Sequence, residues 1–228
     1  MPTVTHIARC HGAPRARHVI IDDMPWRVLP IAVLEELDLR SGETVELESL
    51  NGLIRDTEPR IARARAIALI AYRERCAAEI THTLTAEGYS CEAVGCVVED
   101  LKSIGLIDDA RFSEARARTL LEIKGFGRTR ALREMTACGL DRDQALSALD
   151  ACAPLEDEHE RAAEAARRMV RPRDTVNSLA QRLVRKGYEV SASLQAARER
   201  VGEGSADCDD SGWAEPDTPE DTPESPEE

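Results

Sequence analysis

"KGFGRTRALREMTACGL", residues 124–140, decides how the chain is read, because its pattern occurs three times. "RERCAAEITHTLTAEGY" (73–89) and "PRDTVNSLAQRLVRKGY" (172–188) align with it without gaps, the starts being offset by 51 and then 48 residues. Ile80, Ala131 and Leu179 coincide, as do Leu84, Met135 and Leu183 one helical turn later. A spacing of four places such a pair on one buried helix face. Gly88, Gly139 and Gly187 also coincide, where a helix needs a left-handed residue to end. The following residue, Tyr89, Leu140 or Tyr188, is expected to pack back on the last turn.

Each repeat is flanked by further apolar helices. Ile61-Ala64-Ala68-Leu69, Phe112-Ala115-Leu120 and Ala162-Ala166-Met169 precede the three copies. Val94-Val97-Val98-Leu101, Ala145-Ala148-Leu149 and a weaker Ala192-Ala196-Ala197 follow them. The unit is therefore three helices used three times, about nine in all, and no unit has a comfortable core alone. The expected class is mainly α, with tandem three-helix repeats at 58–107, 108–153 and 154–202 stacked into an elongated body.

Asp108 and Asp109 open the second unit directly after Gly105. Paired carboxylates can bind metal or share a proton, but no histidine cluster or further acids gather around this pair. Both are read as helix starters, accepting from free backbone amides and favouring the positive end of the helix dipole. Phe112 belongs to the core of the same helix. Gly125 and Gly127 form a tight joint between the first and second helices, with Phe126 packed or presented there.

The ends differ from this middle. Residues 1–57 form a small extension in which "HVIID" and "PWRVL" flank the turn signal "DDMP", a β-hairpin pattern. "IAVLEELDL" follows as a short helix stopped by Ser41-Gly42, and "ETVELESL" is either a strand or a helix start. His6, Cys10, His11 and His18 match no zinc spacing, and the first residues are expected to be unstructured. Residues 203–228 hold eleven acids, no base and one large apolar residue, Trp213, so they are expected to form a disordered acidic tail. Such a tail either only solubilises the protein or folds back on basic faces and competes with an anionic partner. Seven cysteines, an odd number without disulfide-like spacing, fit a reducing compartment; Cys76, Cys96 and Cys138 read as core filler. No apolar run of eighteen residues and no signal-peptide core is present, so a cytoplasmic protein without membrane contact is expected.

Outside the tail, 32 acids face 30 bases, so the net charge of −13 belongs mostly to the last 26 residues. Two stretches are basic within this near-neutral body. Residues 111–133 carry seven bases against two acids: Arg111, Arg116, Arg118, Lys124, Arg128, Arg130 and Arg133 against Glu114 and Glu122. Residues 160–186 carry eight bases against three acids, with Arg182, Arg185 and Lys186 at the end. Either these are solvated faces or they meet an anionic partner. Gly-rich phosphate loops, Cys–His nucleophile pairs and ligand-spaced histidines are missing from the sequence, so catalysis, metal and cofactor are not expected.

"GLIDDARFSEARARTLLEIKGFGRTRALREMTACGL" resembles the signature region of the RecX family, regulators of the RecA recombinase. The resemblance rests on Gly105, Asp108, Asp109, Phe112, the Gly125-Phe126-Gly127 turn, Arg128, Arg130 and Gly139. "LIAYRERCAAEITHTLTAEGY" is similar to the family's first repeat, with Cys76 where serine is usual, and "LVRKGYEVSASLQAA" to its closing repeat. Cys138 stands where the family's second repeat usually has lysine. The resemblance implies a non-enzymatic regulator, monomeric, that binds the RecA filament on single-stranded DNA. It would modulate, in the expected sense inhibit, ATPase, strand exchange and coprotease activity, and so regulate DNA repair, homologous recombination and the SOS response. The partner face it implies comprises Arg111, Arg116, Arg118, Lys124, Phe126, Arg128, Arg130, Arg133, Arg182, Arg185 and Lys186. The alternative is a helical protein acting on single- or double-stranded DNA directly, with weak contact. Against it, "GRTRALREMTA" lacks the Asn or Gln of base-reading helices, and aromatics make up only 3% of the chain.

Overall fold

The computed structural model describes residues 1–154 and 157–202; the acidic segment 203–228 lies outside the described residues. Strands β1 (Val4–Cys10), β2 (Ala13–Ile21) and β3 (Met24–Pro30) form an antiparallel meander in that order. The hairpin read at "DDMP" is present: Asp22 and Asp23 both take left-handed conformations, φ 49° and 61°, as a two-residue turn requires. The unstructured start is a correction. Residues 4–10 are strand β1, and register shifts at Val4/His6 and Arg9/Cys10 break the two-residue alternation that would have revealed it. His6 pairs across from Ile20 and His18 from Ala8 in this sheet.

Helix α1 (Ile31–Glu36) follows, and α2 (Leu47–Tyr72) begins inside "ETVELESL", so that stretch is a helix start and α2 runs through residue 57. The remaining helices are α3 (Ala77–Ala86), α4 (Cys91–Ser103), α5 (Asp109–Arg118), α6 (Arg128–Ala137), α7 (Arg142–Cys152), α8 (Glu158–Met169), α9 (Val176–Arg185) and α10 (Val190–Val201). They form three groups, α2–α4, α5–α7 and α8–α10, each with its own apolar core. A fourth core lies between the sheet, α1 and the start of α2. Ten α-helices are thus described, one more than the repeat predicts, the extra one being α1 of the extension. None is long and apolar enough to cross a membrane.

The three repeated helices end alike. Gly88, Gly139 and Gly187 have φ of 92°, 87° and 92°. The amides of Tyr89, Leu140 and Tyr188 reach back to the carbonyls of Leu84, Met135 and Leu183, five residues earlier. This double-bonded left-handed ending satisfies carbonyls that a helix otherwise leaves free. The apolar pairs of all three helices are fully buried, and the residue after each glycine is about 5% exposed. Of the cysteines expected as core filler, Cys76 is buried, Cys138 is half-buried and Cys96 is exposed. Cys96 falls on the outer side of α4, whose buried stripe is Ala93, Val94, Val97, Val98 and Leu101.

The groups are joined in series. Between the first and second, Gly139 lies so close to Ala78 that a Cβ on it would be 2.5 Å from the alanine Cβ. Between the second and third, backbone meets backbone: the Gly127 amide donates to the Lys186 carbonyl (2.9 Å) and the Thr129 amide to the Gly187 carbonyl (3.1 Å). A Cβ on Gly127 would sit 2.2 Å from the Gly187 carbonyl. Gly127 has an ordinary φ of −72°, so this position needs glycine for space alone. Gly127→Ala is therefore expected to destabilise the protein by about 2–4 kcal/mol, from overpacking and two weakened backbone bonds. Urea unfolding measures it; a loss below about 0.5 kcal/mol, the scale of an ordinary surface substitution, would mean the seam is not tight.

Candidate functional site

The second group is built on α5, which opens at Asp108. The Asp108 carboxylate accepts from the Arg111 amide at 2.9 Å and caps the helix as the sequence suggested. Asp109 behaves differently. Its carboxylate accepts from the Ala77 amide at 2.7 Å and pairs with Lys102 Nζ at 2.9 Å, so it caps α3 of the preceding group. The reading of both aspartates as caps of their own helix is thus corrected for Asp109: it is a joint between groups. Phe112 is buried in the second core, as expected.

After α5 the backbone widens into a single π turn, Thr119–Ile123, which leaves Ile123 79% exposed. Gly125 (φ 59°) then reverses the chain into Phe126 and Gly127. Phe126 is half-buried, with the Arg130 guanidinium 4.1 Å and the Lys124 ammonium 5.7 Å from its ring centre. Those distances suit cation–π attraction. Arg161 from α8 fastens the turn by donating to the Leu121 and Phe126 carbonyls, and the Tyr188 hydroxyl donates to the Gly125 carbonyl.

The eleven residues proposed from sequence divide on this scaffold. Arg128 pairs with Asp150, Arg182 with Asp174, and Arg111 with Glu74 of the first group. Arg116 is half-buried, its guanidinium 3.7 Å from Cys138 Sγ and its Nε without a partner among the described residues. Arg130 covers Phe126 and donates to the Arg185 carbonyl. Arg118, Arg133 and Arg185 are exposed, and none of them, nor Lys124 or Lys186, has a carboxylate within ion-pair distance among the described residues. Sequence reasoning missed Glu58 and Glu158, buried carboxylates that hold the N-terminal ends of α4 and α10 through Ser90 and the Glu189 amide. The signal was available: Glu58 stands 51 residues before Asp109, which is the offset of the first two repeats, and Glu158 opens the first helix of the third group.

Residues 108–149, the span of α5, the π turn, α6 and most of α7, match the family model described as RecX, second three-helix domain. Over this stretch the chain resembles the RecX family. Two solved structures share the fold at a TM-score of 0.54 and 19% identity. One, a crystal structure of regulatory protein RecX, matches over 84% of this chain and 97% of its own. The other, RecX from Lactobacillus salivarius, matches over 64% of this chain and 98% of its own. No curated protein matches the chain by sequence. The RecX domain accounts for Asp108, Phe112 and the Gly125–Gly127 turn as parts of one module.

Two stability measurements check the joints of this RecX fold. Asp109→Ala is expected to cost about 1–3 kcal/mol, more than Asp108→Ala at about 1 kcal/mol, because it strips a cap from α3 and an ion pair from α4. Denaturant titration of the two variants decides the order, and equal losses would reduce Asp109 to an ordinary first-turn acid. Asp174 supplies a pH signature. The Arg182 guanidinium, and after it the Arg171 amide, hold its carboxyl below the usual carboxylate range. That contribution is complete above the unfolded carboxyl's value, about 4, and is lost as pH falls through the lower folded value. The stability gap between wild type and Asp174→Asn should therefore narrow from pH 6 toward pH 3. A gap independent of pH would show that the ion pair is not its source.

Proposed function

We propose that this protein is a non-enzymatic regulator that binds the RecA recombinase filament on single-stranded DNA and inhibits its ATPase, strand-exchange and coprotease activities. The observation that carries the reading is the RecX three-helix domain at residues 108–149. The charge distribution supports it. Arg118, Lys124 and Arg133 on the second group and Arg185 and Lys186 on the third stand without carboxylate partners among the described residues, so their fields are available to an anionic assembly. Inhibition of this kind regulates DNA repair and the SOS response from the cytoplasm. Direct reading of duplex sequence is the weaker account, because α6 presents no Asn or Gln to base edges.

The division of the cations yields the test. Replacing Arg118, Arg133 and Arg185 together with glutamate should leave unfolding nearly unchanged, since exposed unpaired side chains seldom stabilise a fold. Inhibition of DNA-dependent ATP hydrolysis by the cognate recombinase at substoichiometric amounts should weaken by about tenfold or more, with reduced salt sensitivity. Replacing Arg116 and Arg128 with alanine should instead lower stability, because both are held in internal contacts. Full inhibition by the triple variant would move the binding face elsewhere, and no effect of wild-type protein on the hydrolysis would end the RecA reading itself.

A further inference from the structure

The chain has 27 arginines but only three lysines. One of the three, Lys102, is paired with Asp109. The other two, Lys124 and Lys186, line one cleft of about 420 Å³ between the π turn of the second group and α8–α9 of the third. They converge on the same turn. Lys186 Nζ donates to the Lys124 carbonyl (3.4 Å) and lies 3.7 Å from where a Cβ on Gly125 would stand. Arg161 and Arg168 complete the basic wall, with Arg168 already paired to Glu164. Lys124, Lys186 and Arg161 therefore face the cleft with no carboxylate partner among the described residues. Exposed Ile123 stands on its rim.

We infer that this cleft is the docking site of the chain's own acidic segment, residues 203–228. Charge is the first ground: eleven carboxylates and no base follow directly on the third group. Connection is the second. The segment leaves from the end of α10, which packs on α8 in a shared alanine core, and Glu199 near that end lines a surface groove with Arg161. A tether of 26 residues has a root-mean-square reach of roughly 30 Å, which gives an effective concentration on the order of millimolar. Composition is the third. Glu122 and Glu164 stand in the cleft wall and oppose a run of phosphates, and Tyr188 is buried with its hydroxyl bonded, so no aromatic face is offered to a base. A peptide tolerates both, because its carboxylates are spaced and its one large apolar residue, Trp213, can meet Ile123. Docked there, the segment screens Lys124 of the RecX domain and Lys186 of the third group from other anions until a stronger partner displaces it.

The shortage of lysines makes the test specific. A water-soluble carbodiimide joins an amine to a carboxylate with loss of water and no spacer, and arginine does not react. In the full-length protein at low salt, intrachain amide bonds from Lys124 and Lys186 to acids of 203–228 should dominate the mass-spectrometric map, beside the internal Lys102–Asp109 product. A variant carrying Arg133→Lys adds a reference amine on the second group outside the cleft. Tail products at this reference should be several-fold rarer. Lys124→Glu should lower the Lys186-to-tail yield several-fold, and salt near 0.5 M should abolish the preference, because the Debye length then falls to a few ångströms. Tail products spread evenly over the reference and cleft lysines, tail products only between molecules, or none at all would each overturn the docking. Because no recombinase is present, these outcomes stand apart from those of the RecA experiment.

Discussion

The second and third groups meet at two glycines, Gly127 and Gly187, which leave no space for a side chain between them, and the arrangement of the two groups depends on this seam. Two backbone hydrogen bonds cross this seam, and no side chain fits between the two chains. Similar approaches recur at the other joints: Gly139 against Ala78, and Gly88 with its prospective Cβ 2.9 Å from Ala16 of β2. The glycine that ends each repeated helix is thus also the surface on which the preceding module rests. One residue type satisfies two demands, a left-handed backbone and absence of bulk. The sheet occupies, for the first group, the place that a preceding helical group occupies for the others.

That double role explains what could be read in advance. Period, cap and core were legible because each is local: the apolar pair four residues apart, the terminal glycine, the residue that folds back. The hairpin was legible from Asp22-Asp23 for the same reason. What could not be read depends on how one group is rotated against the next. Asp109 looks like a second cap for α5 until Ala77 is known to lie beside it, and Arg128 looks free until Asp150 is placed. Strand β1 was hidden by its own register shifts. The basic stretches were correctly located in the chain, but their division into bonded and unbonded members is a property of the packed groups.

That division follows from side-chain chemistry. A guanidinium has five donors in a fixed fork and reaches carbonyls and carboxylates together. Arg161 uses it to hold the carbonyls of Leu121 and Phe126, and Arg182 to join Asp174 and the Met169 carbonyl. These arginines fasten turns and helix ends, so their donors are engaged within the protein, and Arg182 is also neutralised by Asp174. An ammonium is a compact, strongly hydrated charge with no fork, poorly suited to bridging two carbonyls. Lys124 and Lys186 accordingly line the cleft at the Gly125 turn, and Lys186 makes a single carbonyl contact there.

The π turn is what opens that cleft. Widening the helix by one residue at Thr119–Ile123 releases Ile123 from the buried stripe that continues through Leu120 and Leu121, and it turns Lys124 and Gly125 toward the third group. The same local irregularity lies next to the seam and to the two unpaired cations beside it. Rigidity and an open electropositive surface come from one feature of the backbone, so the surface is held in place by the contact that joins the groups.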